Sequence, residues 1–282
     1  MNLPRRHLAV AMAVALIALL LEGVGSAVVA GAWSQPRGHY YTKLSGIFYS
    51  ADEVYNEMGV RQAQGMDDDS FDGSQGFLYV EYGLRERLTV IGQINAGVLA
   101  AMNTLTKRET TGIGDVDLGV KYQLTDGPIV LSPSASLKIP TGYNEHFDPP
   151  MGTGHADMEF RLLVARSLYP LPFYVGAESG FRFRGGIYSN QVPYFFEVGA
   201  TLHPRFFAKG NISGINTRSS DAESTGEVGS LQVSEGNFTK FGFNGAYKVA
   251  GPMWVDVLAE TIIDGQNVGA GVSWGLGFSY SP

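Results

Sequence analysis

The segment GVSWGLGFSYSP (Gly271–Pro282) decides the fold. Val272, Trp274, Leu276, Phe278 and Tyr280 alternate there with nothing larger than Gly or Ser. Successive side chains of a β-strand point to opposite faces, so this stretch has one large apolar face and one nearly bare face. A water-soluble sandwich would carry polar side chains outside. Here the large face suits contact with hydrocarbon, and the remainder of the chain tests that reading.

At the other end, Arg5, Arg6 and His7 precede an apolar run from Leu8 to Leu21 that Glu22 stops. About 14 residues cannot span a bilayer core of about 30 Å as a helix, but they fit the apolar stretch of a secretory signal. Ala30-Gly31-Ala32 supplies small residues for cleavage, so residues 1–32 are expected to be a cleaved signal peptide and 33–282 a single domain beginning at Trp33. Removing 1–32 takes away Arg5, Arg6 and Glu22, which moves the formal charge from -7 to -8 and argues against nucleic acid as a partner. The absence of Cys excludes disulfides, thiolate metal sites and a lipidated Cys. No second apolar run reaches the 18 or more residues of a membrane helix.

Beyond Trp33 the pattern is strand after strand. Alternating segments fall near Tyr40–Tyr49, Gly76–Leu84, Leu88–Val98, Asp115–Leu124, Ile129–Ile139 and His155–Ala165. They continue near Phe173–Phe183, Val192–Leu202, Phe206–Ile215, Phe238–Val249, Met253–Ile263 and Val268–Tyr280. Short connectors (LRER, TDGP, YPLP, HPRF, VAGP) alternate with long polar ones at Ser50–Ser74, Ala100–Gly114, Pro140–Gly154 and Asn216–Gly236. Pro and Gly set the tight turns. Short turns on one rim and long loops on the other describe an all-β fold, a transmembrane antiparallel up-and-down β-barrel of about 12 strands in the bacterial outer membrane.

Parity supports this. Val116, Leu118, Val120 and Tyr122 oppose Asp115, Asp117, Lys121 and Gln123; Met158, Phe160, Leu162 and Val164 oppose His155, Asp157, Glu159 and Arg161. Phe173, Val175, Ala177, Phe181 and Phe183 oppose Glu178, Arg182 and Arg184, and Met253, Val255 and Val257 oppose Asp256 and Glu260. A charge on the lipid face at mid-bilayer costs about 2 to 4 kcal/mol, so the charged face is the lumen and the apolar face meets outer-membrane lipid. Open edges in hydrocarbon would leave backbone groups unpaired, which requires closure. Tyr40, Tyr122, Tyr169, Tyr247, Trp254 and Tyr280 are expected in the interfacial girdles.

GIGDVDLGVKYQL (Gly112–Leu124), LKIPTG (Leu137–Gly142) and AWSQPRGHYYTKLSG (Ala32–Gly46) resemble patches of the outer-membrane transporters of the meta-pathway phenol-degradation type. That resemblance implies passage of small, often aromatic or hydrophobic compounds, and it carries no catalytic residues and no cofactor. It also implies a partner in the outer-membrane assembly machinery, which reads a C-terminal aromatic residue; Phe278 and Tyr280 hold the register, with Ser281 and Pro282 beyond them.

For chemistry, the sharpest constellation is Asp115 and Asp117 with His155 and Asp157, two i,i+2 pairs on lumen faces that would suit water activation in a hydrolase. The spacing is common in a barrel with a polar interior, so pore lining is the reading preferred, and no catalytic residue is assigned. MDDDSFDG (Met66–Gly73) lacks EF-hand spacing and reads as a solvated loop; no metal site is expected. Arg161, Arg182, Arg184, Glu159, Glu178, Asp115, Asp117 and Lys121 are the candidates for the lumen constriction, forming either a salt-bridged plug or a selective filter. Tyr143, Phe147 and Tyr188 stand in the loops, where aromatic side chains suit an apolar solute. The expected function is passage of small molecules, with a hydrolase and a structural barrel serving a surface or secretion complex as alternatives.

Overall fold

The computed structural model describes residues 31–64, 69–103, 105–144, 146–218 and 235–282. Residues 1–30 of the expected signal segment, and Asp67 and Asp68 of the acidic run, lie outside the described residues. The strands are β1 (Tyr40–Ala51), β2 (Glu53–Tyr55), β3 (Arg61–Ala63), β4 (Ser70–Arg85), β5 (Leu88–Met102), β6 (Lys107–Tyr122), β7 (Val130–Ile139) and β8 (Asp157–Ser167). They continue with β9 (Phe173–Phe183), β10 (Gln191–His203), β11 (Phe206–Thr217), β12 (Asn237–Ala250), β13 (Met253–Gln266), β14 (Val268–Gly269) and β15 (Val272–Tyr280). Twelve of them, β1, β4 to β13 and β15, pair antiparallel with their neighbours into a closed barrel. β14, β2 and β3 form a separate small sheet.

The seam that closes the cylinder is the C-terminal segment itself. β15 pairs with β1 from Thr42↔Tyr280 to Ser50↔Val272, and with β13 on its other side, so no edge of the barrel sheet is left open. On the outer face of the seam Phe48 stacks on Trp274 at 4.4 Å and Tyr40 on Tyr280 at 5.8 Å. Such cross-strand aromatic pairs hold register as well as adding contact area. Around the rest of the cylinder Leu118, Val120, Met158, Phe160, Leu162, Val257 and Leu276 are exposed, an apolar belt that in a bilayer meets lipid.

Three details differ from the sequence reading. The connector expected over Ala100–Gly114 is mostly strand, because β5 and β6 run on to a Met102↔Lys107 pair, and β4 likewise begins at Ser70. Strand pairing needs only the backbone, and above the hydrocarbon belt polar side chains such as Arg108, Glu109 and Thr111 cost nothing. The segment Val268–Tyr280 divides: β14 leaves the barrel to pair with β2, and β15 resumes at Val272. Finally, Trp254 is not in a girdle. Its neighbours Met253 and Val255 face outward, so parity sends Trp254 inside, where it is 6 % exposed with the Lys248 ammonium 5.7 Å from the ring centre.

Described chain segments fold against both ends of the cylinder. At the long-loop mouth, the β7–β8 connector folds inward and seats Met151, 1 % exposed, against Phe71 and Leu99, with Tyr49 and Tyr143 alongside. Across the mouth, Tyr55 of the small sheet packs on Phe238, Ile262, Val268 and Ala270. At the short-turn end, residues 31–36 enter the lumen. Gly83 is where this segment crosses β4: a Cβ there would collide with the Pro36 carbonyl, so only Gly admits the close approach.

Candidate functional site

The lumen wall is built from the inward parity of β4 to β11. Lys138 on β7 is in register with Asp117 on β6 and Asp157 on β8, and Glu159 on β8 is in register with Arg182 on β9. Lys138 Nζ lies 2.8 Å from Asp157 and 3.3 Å from Asp115. Arg182 Nε donates to Glu159 at 2.7 Å, while Arg161 contacts the other Glu159 oxygen and reaches Glu178 at 3.2 Å. Farther round, Glu197 accepts from Lys209 and from the Tyr174 hydroxyl, each at 3.0 Å.

Apart from Arg161–Glu159, which lies within β8, these ion pairs link neighbouring strands, and all of them run along the wall. Among the described residues none of these pairs spans the lumen, and space is left beside the wall formed by β4 to β9. A cavity of about 200 Å³ lies between Asn95, Asp115, Lys138 and Asp157, and another of about 370 Å³ lies between Glu81, Lys121, Arg161 and Glu178. Gln93, Asp117, Ser136, Glu159 and Arg182 border both, so the two chambers meet at a charged waist. Desolvated, tightly paired charges hold the wall rigid, and their unpaired lone pairs and N–H groups remain available to a polar solute.

Of the residues expected at a constriction, Asp117, Glu159, Arg161, Glu178 and Arg182 stand at or beside this waist. Asp115 sits higher, 3 % exposed, and accepts from the Tyr143 hydroxyl at 2.6 Å. Burial, and then that hydrogen bond to a carboxylate, push the Tyr143 hydroxyl pKa up. Arg184 lies just beyond β9, bound to Glu235 at 2.7 Å, 3.9 Å from Asp157 and 4.6 Å above the Tyr188 ring, where burial lowers its pKa. Arg184 therefore belongs to the mouth. Lys121 is at the opposite end, 2 % exposed and 3.4 Å from the equally buried Glu81.

Of the four residues of the hydrolase alternative, Asp115, Asp117 and Asp157 border the upper chamber together, and His155 stands apart from its lining. His155 precedes β8, and its ring stacks edge-on to Tyr188 at 6.1 Å. Asp157 is engaged by Lys138 and by the Gly185 amide, and Asp115 by Tyr143 and Lys138.

The sequence reading missed the N-terminal plug. Lys121 Nζ donates to the Gly31 carbonyl at 2.6 Å, and the Ser132 hydroxyl donates to the Ala32 carbonyl. The Ser34 amide and hydroxyl both donate to Gln123, at 2.9 and 3.0 Å; the Gln35 amide donates to Thr89 at 2.8 Å and its side chain to Glu81 at 2.9 Å. Trp33 meets Tyr174 edge-to-face at 5.5 Å, and Ala32 packs with Val130, Leu163 and Ala165. The one sequence signal for this was the polar rim parity of Glu81, Thr89, Lys121 and Ser132, which needs an occupant once buried. Gly114, within the GIGD patch, has a comparable local role: a Cβ there would come within 2.6 Å of the Asn95 amide, which lines the upper chamber.

No family model and no curated protein sequence matches the chain. Among solved structures it is similar to the COG4313 outer membrane channel from Pseudomonas putida F1, with a TM-score of 0.71 at 14 % identity over 91 % of this chain and all of that one. It is also similar to the NanC porin (TM-score 0.55, 10 % identity, 85 % of this chain and 98 % of that one) and to the KdgM porin (0.53, 7 %, 85 % and 99 %). The likeness is one of fold: this chain is a 12-stranded antiparallel barrel of the outer-membrane type.

Proposed function

We propose that the protein is an outer-membrane channel for small solutes, occluded in the state described by the N-terminal segment at one end and the β7–β8 connector at the other. The observation that carries this is the pair of chambers that share Gln93, Asp117, Ser136, Glu159 and Arg182, lined by ion pairs that run along the wall of β4 to β9. A barrel serving only as a scaffold needs no such space. The lining of Gln, Ser, Asp, Glu, Lys and Arg suits small polar or charged solutes along this route, more than the aromatic or hydrophobic compounds that the resemblance to the meta-pathway phenol-degradation type implies. Arg182 and Glu159 set the charge at the waist.

Planar-bilayer recording of the heat-modifiable protein tests the proposal, with Arg182→Ala and Gln35→Ala beside the wild type. Brief unitary currents are expected, with cation preference, set by the excess of carboxylates in the lining, increased by Arg182→Ala and open time increased by Gln35→Ala, which loses the side-chain tie to Glu81. Silence of all three folded proteins would overturn the channel reading and favour a structural barrel.

A further inference from the structure

The plug raises the question of where the signal segment is removed. A cut after Ala32 discards Gly31 and Ala32, the two residues whose carbonyls satisfy the Lys121 ammonium and the Ser132 hydroxyl. Both donors are deeply buried, Lys121 at 2 % and Ser132 at 0 % exposure, and Ala32 itself is 2 % exposed. Such donors are built around an acceptor, because an unpaired polar group away from water is costly. Gly31 also has φ +96°, a conformation that Gly adopts without strain, and a Cβ on it would lie 3.6 Å from Glu197 Oε1. Its nitrogen, bonded to the same Cα, is therefore within about 6 Å of that carboxylate.

We propose that the signal segment is cut after Ala30, that the mature chain begins at Gly31, and that the new α-ammonium is held inside the barrel by Glu197. Val28 and Ala30 are small, uncharged residues at the third and first positions before that bond, as signal-peptide cleavage requires. In the cleavage, catalysed by a signal peptidase, water adds across the Ala30–Gly31 amide: its hydroxyl goes to the Ala30 carbonyl carbon and its hydrogen to the Gly31 nitrogen. That amine takes up a further proton at neutral pH. Glu197 Oε2 already serves Lys209, and Oε1 accepts a single hydrogen bond from Tyr174, so Oε1 has capacity for the ammonium. Glu178 borders the same small space beside Gly31. Processing thus creates the charge that the lumen recognises, and an intact precursor, with a neutral amide at this point, lacks it.

The mass of the protein purified from outer membranes, with that of its N-terminal peptide, tests the cut. A chain starting at Gly31 is expected; a start at Trp33, lighter by one Gly and one Ala residue, or at any other residue, overturns the proposal. The ammonium site is tested by the rate of α-amine modification with an amine-selective reagent at neutral pH. The folded wild type is expected to react at least tenfold more slowly than the same protein unfolded in hot detergent, and equal rates would overturn burial of the amine. Glu197→Gln is expected to raise the folded rate several-fold. If a heat-modifiable Glu197→Gln barrel instead reacts as slowly as the wild type, Glu197 is not the partner.

Discussion

Lys121 and Glu81 form the most buried ion pair described at the plugged end, each 2 % exposed and 3.4 Å apart. At that separation, in a protein of effective dielectric near 20, the attraction is about 5 kcal/mol, most of which is offset by taking both ions out of water. The pair as a whole therefore contributes little, whereas breaking it from one side is expensive. Lys121→Met leaves Glu81 with the hydroxyl of Tyr79 and the amide of Gln35 but no cation, and is expected to destabilise the barrel by about 3 to 5 kcal/mol. In Lys121→Met/Glu81→Gln the Gln oxygen can still accept from Tyr79, and its NH2 can donate to the Gln35 side-chain oxygen once that amide turns over. The remaining loss is the charged hydrogen bond to the Gly31 carbonyl, about 1.5 to 3 kcal/mol. The double variant should thus be more stable than the Lys121→Met single variant. Urea unfolding in detergent micelles, followed by gel mobility and tryptophan emission, measures all four corners of the cycle. A single variant within about 0.5 kcal/mol of the wild type, or a double variant that loses the sum of the singles, would refute this account of the plugged end.

Three further outcomes are expected. Phe160→Arg, on the lipid face of β8, should cost about 2 to 4 kcal/mol in urea unfolding from bilayers, while Ser136→Asn in the lumen should fall within about 0.5 kcal/mol of wild type. Lipids brominated at mid-chain should quench Trp274, which is 53 % exposed on the belt, and leave Trp254 emission unchanged in single-tryptophan variants; equal quenching would place Trp254 outside. Gly180→Val should lower the unfolding temperature sharply, because its Cβ would meet the Phe160 carbonyl between β8 and β9, whereas Gly127→Ala, in open space at a turn, should leave it unchanged.

The barrel was legible in the sequence because a strand's period of two is a local property. Alternation such as Val272, Trp274, Leu276, Phe278 against Gly and Ser can be read without knowing any partner, and the cost of a charge in lipid then assigns the faces. The same rule turns Trp254 inward, because Met253 and Val255 on either side of it belong to the lipid face. It also identified Glu159, Glu178, Arg161 and Arg182 as lumen residues. What those charges do depended on register. Whether Glu159 meets Arg182 on the next strand or a residue across the lumen is fixed by how β8 and β9 slide past each other, and a pattern of polarity does not contain that offset.

Strand number, the lipid-facing belt and the charged interior were thus determined by the sequence alone, since each follows from neighbours one or two residues apart. Only the tertiary structure decided that the ion pairs run along the wall, that Met151 packs on Phe71 and Leu99 at one end, and that Lys121, Ser132, Thr89 and Glu81 find their partners in the N-terminal segment at the other. Those contacts join residues 46 to 100 positions apart, and they form because a closed barrel buries polar groups at its ends that must be satisfied by whichever part of the chain can reach them.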